Sequence, residues 1–192
     1  MDPVFTLQWP EFVVANQLQK LLPKSEGYSV LIPASRQEKG IDLAIIRKRP
    51  KAASRVVTIQ IKASRTYSLP PPVRETTKRF QHYTWFNRFE VPETADFILL
   101  FGMYPRDASQ TRRIESSWYN NCILLFTNKK MSDFIESCKT VQGNPDRMFG
   151  FGFNDGRKIV QTRGDQNREF RDYTDHLLEK SVEKIRGKLN NQ

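Results

Sequence analysis

Cysteine and histidine are both scarce in this chain, with two of each among 192 residues. Cys122 and Cys138 are too few for the disulfide framework of a small secreted fold, and neither they nor His82 and His176 stand at zinc-ligand spacings. Both thiols read as reduced and structural, which points to a cytoplasmic protein. Long apolar runs are missing as well. No stretch approaches the roughly 20 residues needed to cross a bilayer, and Met1 to Pro10 lacks the basic region and apolar core of a leader. Acidic residues are the third shortage: 21 Asp and Glu stand against 31 Lys and Arg, a formal net charge of +10. Such a surplus favours polyanions, and no helical segment is apolar on one face and densely basic on the other, so nucleic acid fits better than a membrane surface. Internal repeats and low-complexity segments are absent, and the length suits a single domain over residues 1–192 with a full core.

What is present concentrates between Gly40 and Ser64. Ile41, Leu43 and Ile45 alternate with Asp42 and Ala44, and Val57, Ile59, Ile61 and Ala63 alternate with Thr58, Gln60, Lys62 and Ser64. Both halves have the period of β-strands, so Gln60, Lys62 and Ser64 share one face. The short basic connection through Arg47, Lys48, Arg49, Pro50 and Lys51 allows an antiparallel hairpin, which sets Asp42 beside Gln60 and Lys62. An acid, an amide oxygen and an ammonium projecting together suit a divalent metal and a phosphate. Mg²⁺ is held by one or two carboxylates plus waters and substrate oxygens, and a lysine beside it can orient the attacking water. The same residues also describe a solvent-exposed amphipathic hairpin.

The order Asp42, then Gln60-Ile61-Lys62 on the next strand, resembles the PD-(D/E)xK nuclease superfamily in the QxK variant of Mrr-like restriction endonucleases. Gly40 shortly before the acid, the run from Val56 to Ile61, Ser64 after the lysine, and a preceding helix carrying Glu11 follow the same pattern. The likeness covers Trp9 to Phe101. It implies an α/β fold with a restriction-endonuclease-like core, a mixed central sheet flanked by helices in α-β-β-β-α-β order. It further implies Mg²⁺- or Mn²⁺-dependent hydrolysis of DNA: Asp42, Gln60 and the Ile61 carbonyl as metal ligands, Lys62 positioning the water, and Glu11 completing the site. Two positions depart from the pattern. Ile41 stands where the motif's name has proline, and Gln60 replaces the usual carboxylate, which removes a negative charge and weakens the expected hold on a hard cation. A catalytically inactive nuclease-fold module that binds nucleic acid is the alternative, and Gln60 is the feature that favours it. An RNA substrate stays open, as does a homodimer, the symmetric arrangement common among enzymes that cut both strands.

Around this stretch the chain reads as support. Pro10 suits the first turn of a helix whose buried stripe is Val14, Leu18, Leu21 and Leu22; Glu11, near its positive end, equally reads as a surface acid favoured by the dipole. Tyr28 to Pro33 is a first strand. Among the flanking cations, Arg36, Lys39 and Arg65, with Ser64, are the phosphate-contact candidates, whereas Arg47 to Lys51 read as a solvated tip. Pro70 to Pro72 form a rigid connector, and Thr76 to Phe89 mix rings and cations that either pack on the sheet or stack on bases. Phe97 to Phe101 and Cys122 to Phe126 read as strands buried on both faces in the middle of the sheet, with Pro105 to Asn120 as a long excursion between them. A helix begins at Ser132 and Asp133. Phe149, Phe151 and Phe153 alternate with glycines ahead of an Asn154-Asp155-Gly156 turn, and a final helix runs from about Glu169 to Leu189.

Overall fold

Residues 9–33, 39–49, 52–68, 80–105, 119–154 and 157–191 are described by the computed structural model. Helix α1 (Trp9–Leu21) turns Glu11, Val14, Ala15 and Leu18 inward at helical spacing. Three antiparallel strands follow: β1 (Tyr28–Leu31), β2 (Leu43–Arg49) and β3 (Ala52–Ser68). Strand β5 (Phe97–Pro105) lies parallel to β3, with Ile59 beside Phe97, and β6 (Tyr119–Thr127) lies antiparallel to β5. The order β1-β2-β3-β5-β6 makes a five-stranded mixed sheet, so the expected α/β class and the α-β-β-β opening both hold.

The next step of the expected order differs. The described residues between β3 and β5 hold a strand, β4 (His82–Asn87), and a loop, where the α-β-β-β-α-β order has a helix. Period explains the strand: His82, Thr84 and Phe86 are buried while Tyr83, Trp85 and Asn87 turn outward. The prolines at 70–72, the residues on to 79 and the excursion at 106–118 lie outside the described residues. The far end of β3, Thr66 to Ser68, pairs with β4, which pairs with β7 (Met148–Phe153) and through it with β8 (Val160–Arg163). Strand β3 thus belongs to two sheets, and its length follows from that double duty.

Two apolar clusters occupy opposite sides of the mixed sheet. Val57, Ile59, Ile61, Phe97 and Leu99 meet α1 and the C-terminal helices on one side. Ile98, Leu100, Leu124 and Phe126 meet α2 (Asn128–Ser137) and the inward phenylalanines of β7 on the other. Phe149, Phe151 and Phe153 are all buried, as their alternation predicts. Helix α2 starts earlier than Ser132, because the Thr127 hydroxyl accepts the Lys130 N–H and caps it there. Strand β6 is buried on both faces as expected yet sits at the sheet's edge, where Leu177 bridges to Leu124 and covers it.

The long final helix does not form. Arg168 and Phe170 have φ of 53° and 54°, the Asp165 carboxylate accepts the Phe170 N–H, and Asp172 accepts the Thr174 N–H. Such side-chain bonds to nearby amides compete with helix. Helix comes later, as α3 (Leu178–Ser181) and α4 (Glu183–Asn191). The single expected stripe is divided accordingly: Leu178, Val182, Ile185 and Leu189 join the α1 side, whereas Leu177 and Tyr173 join the α2 side. Helix α4 is tied down where it ends, since Arg49 donates to the Leu189 and Asn190 carbonyls at 2.7 and 2.8 Å and Lys188 reaches Asp96 at 2.6 Å.

Candidate functional site

The β2–β3 register pairs Leu43 with Ile59, and Asp42 stands in the bend that precedes β2. Backbone and side chain both fasten Asp42 to β3: its N–H donates to the Ile59 carbonyl at 2.8 Å, and its Oδ2 accepts the Ile61 N–H at 2.6 Å. A strand residue directs its N–H and C=O to the same edge, so the Ile61 carbonyl also faces the Asp42 edge of β3. Gly40 has φ of +85°, and a Cβ there would meet the Pro92 ring at 2.5 Å; only glycine lets the chain turn into Asp42 this close to the 92–94 segment.

Gln60 is the physically unusual member. It is 8% exposed, and its Oε1 is a buried acceptor with no hydrogen-bond partner. An orphaned acceptor of this kind costs about 1–3 kcal/mol and in native proteins calls for an explanation. Lys62, two residues along β3 on the same face, has its ammonium 5.1 Å from the centre of the Phe89 ring. Sequence reasoning placed Asp42, Gln60 and Lys62 together; Gln60 and Lys62 share one face of β3, and Asp42, in the bend just before β2, is tied to the edge of β3 at Ile59 and Ile61.

The other expected residues are distributed less closely. Glu11 is buried, 7% exposed, and not the surface acid that its dipole position suggests. It shares the α1 stripe that packs on Val57, Ile59 and Ile61, which project from β3 opposite to Gln60 and Lys62, so the fold does not gather Glu11 onto their face. Ser64 is half-buried, and its hydroxyl donates to the Trp85 carbonyl. Lys39 is exposed, with its carbonyl accepting from Thr94 at 3.0 Å. Arg65 stands beside Met103 in the ladder, while its side chain and the whole of Arg36 lie outside the described residues. The basic hairpin tip is partly engaged inside the fold, with Arg49 on the end of α4 and Arg47 5.1 Å from the Tyr28 ring.

As a donor set, Asp42, Gln60 Oε1 and the Ile61 carbonyl are hard oxygens of the type that Mg²⁺ or Mn²⁺ accepts, and the orphaned Oε1 is the atom whose chemistry such an ion would complete. The set has one charge. Among the described residues no three of His, Cys, Asp and Glu gather at one point, so a cation here would lean on amide and backbone oxygens and on a substrate phosphate.

Beside Lys62 a groove of about 580 Å³ opens where β3 and β4 diverge, lined by Ser64, Tyr67, Trp85, Arg88 and Phe89 among others. Sequence reasoning treated Thr76 to Phe89 as one mixed segment and missed which rings face out. The alternation of β4 carried that signal, since it separates Tyr83 and Trp85 from the buried His82, Thr84 and Phe86. No protein-family model, curated protein or solved structure matches this chain, so the class that geometry alone defines is a mixed-sheet α/β protein.

Proposed function

We propose that this chain is a metal-dependent DNA endonuclease of the PD-(D/E)xK type, and the observation that carries the reading is the orphaned Gln60 oxygen, on the Lys62 face of β3 and one residue from Ile61, whose N–H Asp42 accepts. Asp42, Gln60 and the Ile61 carbonyl would hold Mg²⁺ or Mn²⁺. A bound cation supplies Lewis acidity toward a phosphodiester oxygen and lowers the pKa of water. Lys62 orients the water and offsets charge that develops on the phosphate. The groove beside it carries Lys62 and Arg88 and, among its described residues, no carboxylate, which suits a polyanionic strand, and the net charge of +10 speeds its approach. Restriction or defence against foreign DNA fits this activity. The buried free thiols favour the cytoplasm, and a homodimer would let two copies cut both strands. No described helix is long and apolar enough to cross a membrane.

A second reading is favoured by one observation: Gln60 is buried and the site has a single carboxylate. On that reading the chain binds nucleic acid without cutting it. Digestion of supercoiled, linear and branched DNA with Mg²⁺, with Mn²⁺ and with EDTA decides between them. Cleavage that needs the metal and disappears in Asp42→Ala supports the nuclease, and intact DNA under every condition supports the binding module.

A further inference from the structure

The groove at Lys62 ends on a row of rings that the hydrolytic reading does not use. On the outward side of β4, Tyr67 and Trp85 lie 5.0 Å apart between centroids, Trp85 and Tyr83 6.3 Å, and Tyr83 and Phe80 6.0 Å. Trp85 is 37% exposed and Tyr67 47%. Buried rings have their packing as their reason; these two need another.

Glycines in the neighbouring strand hold the row in place. Gly150 pairs with Trp85, and a Cβ at Gly150 would stand 2.2 Å from the indole Cδ1; one at Gly152 would stand 2.5 Å from the Phe80 ring. The indole occupies the space a side chain would need, so one of its sides is packed against β7 while Trp85 keeps 37% of its surface exposed. Tyr83 is pinned in turn, because its hydroxyl accepts the Phe80 N–H at 3.2 Å. A ring fixed in this way loses little conformational entropy when a flat partner settles on it.

Charge narrows the choice of partner. Tyr67, Trp85, Lys62 and Arg88 line one groove with no acidic residue among its described lining, in a chain of net charge +10. Flat rings that share a groove with cations match an unpaired nucleobase on a sugar–phosphate backbone. We infer that Tyr67 and Trp85 form a stacking platform for an unpaired base next to the phosphate held at Lys62, so that the substrate is DNA with a single-stranded or extruded base at that point. This inference rests on the nuclease reading for its choice of DNA, while the stacking itself requires no cleavage.

The test is binding in EDTA, where cutting does not interfere. A short oligothymidylate and an abasic strand of equal length carry the same phosphates and differ only in their bases. The wild-type protein is expected to bind the oligothymidylate roughly five- to a hundredfold more tightly, the range that one stacked base provides. Trp85→Ala and Tyr67→Ala should each reduce that ratio toward one, and Trp85→Phe should keep most of it. Thermal melts check that the variants are folded; should Trp85→Ala fail to fold, Tyr67→Ala alone carries the test. A wild-type ratio near one, or folded variants that keep the full ratio, would overturn the platform. If the ratio holds but no metal-dependent cleavage is found, the nuclease reading falls and the platform stands; if cleavage is present and the ratio is one, the reverse is true.

Discussion

Replacing Gln60 by methionine separates a structural from a chemical reason for the orphaned oxygen. The side chains have similar length, and Met removes the acceptor while keeping apolar bulk where Gln60 is 8% exposed. If Oε1 is unpaired in the folded chain, its desolvation costs about 1–3 kcal/mol, which Met would recover less a packing mismatch below about 1.5 kcal/mol. A net recovery of about 1–2 kcal/mol, with 1 kcal/mol moving Tm by roughly 2–4 °C for a chain of this size, means that Gln60→Met should melt about 2–8 °C higher in EDTA. The same substitution removes a metal ligand, so cleavage should fall steeply. A more stable and less active protein is the signature of a strained functional position. Calorimetric melts and plasmid digestion on one preparation provide both readings. A lower Tm with cleavage retained would refute the reasoning, since Gln60 would then be holding the fold together and doing no chemistry.

Three further outcomes follow from particular contacts. His82 lies 4.9 and 5.5 Å from the Tyr104 and Phe153 rings, and His176 lies 4.3 Å from Phe126; burial holds both below the ordinary 6.5. As pH falls the unfolded chain takes up these protons first, so their contribution is complete above 6.5 and is lost as pH drops through the lower folded values. Urea unfolding at about pH 7.5 and about pH 5.5 should show lower stability in acid, and equal midpoints would contradict the assignment. Gly150→Ala forces a Cβ to 2.2 Å from Trp85 and 2.8 Å from the Thr84 carbonyl, so urea melts should register a loss of about 1–3 kcal/mol; no loss would mean that β4 and β7 are packed less closely than this. Glu11→Gln should leave cleavage within about twofold, since Glu11 packs on the far side of β3; a larger loss would restore it to the site.

The residues that set the candidate site were legible because a strand's two-residue period is a local property. Alternation from Ile41 to Ser64 sufficed to put Gln60 and Lys62 on one face of β3 and to bring Asp42 against that strand. The orphaned oxygen was not legible, because the ladder partner of Gln60 is Ile98 in β5, which joins β3 only through a long connection. Strand β6 looked central for a similar reason. Its apolar run records burial on two faces, while the cover on its edge comes from Leu177, far away in sequence. In the final segment the apolar spacing was real, but Asp165 and Asp172 captured backbone amides, which sent Tyr173 and Leu177 to one cluster and Leu178 onward to the other. Spacing alone does not tell which side of a sheet each residue will meet.

Gln60→Glu tests the central claim most directly, since it puts a carboxylate in place of the orphaned amide oxygen at nearly unchanged size. With Mn²⁺ titrated into a cleavage assay, the variant should reach half-maximal rate at a lower metal concentration than the wild type, because an anionic oxygen joins the ligand set. Lys62→Ala in the same assay should lose turnover at every metal concentration while still binding DNA, since one charge among many contributes little to overall phosphate contact. A metal curve that Gln60→Glu leaves in place, together with full turnover in Lys62→Ala, would contradict the account even if the wild-type protein cut DNA.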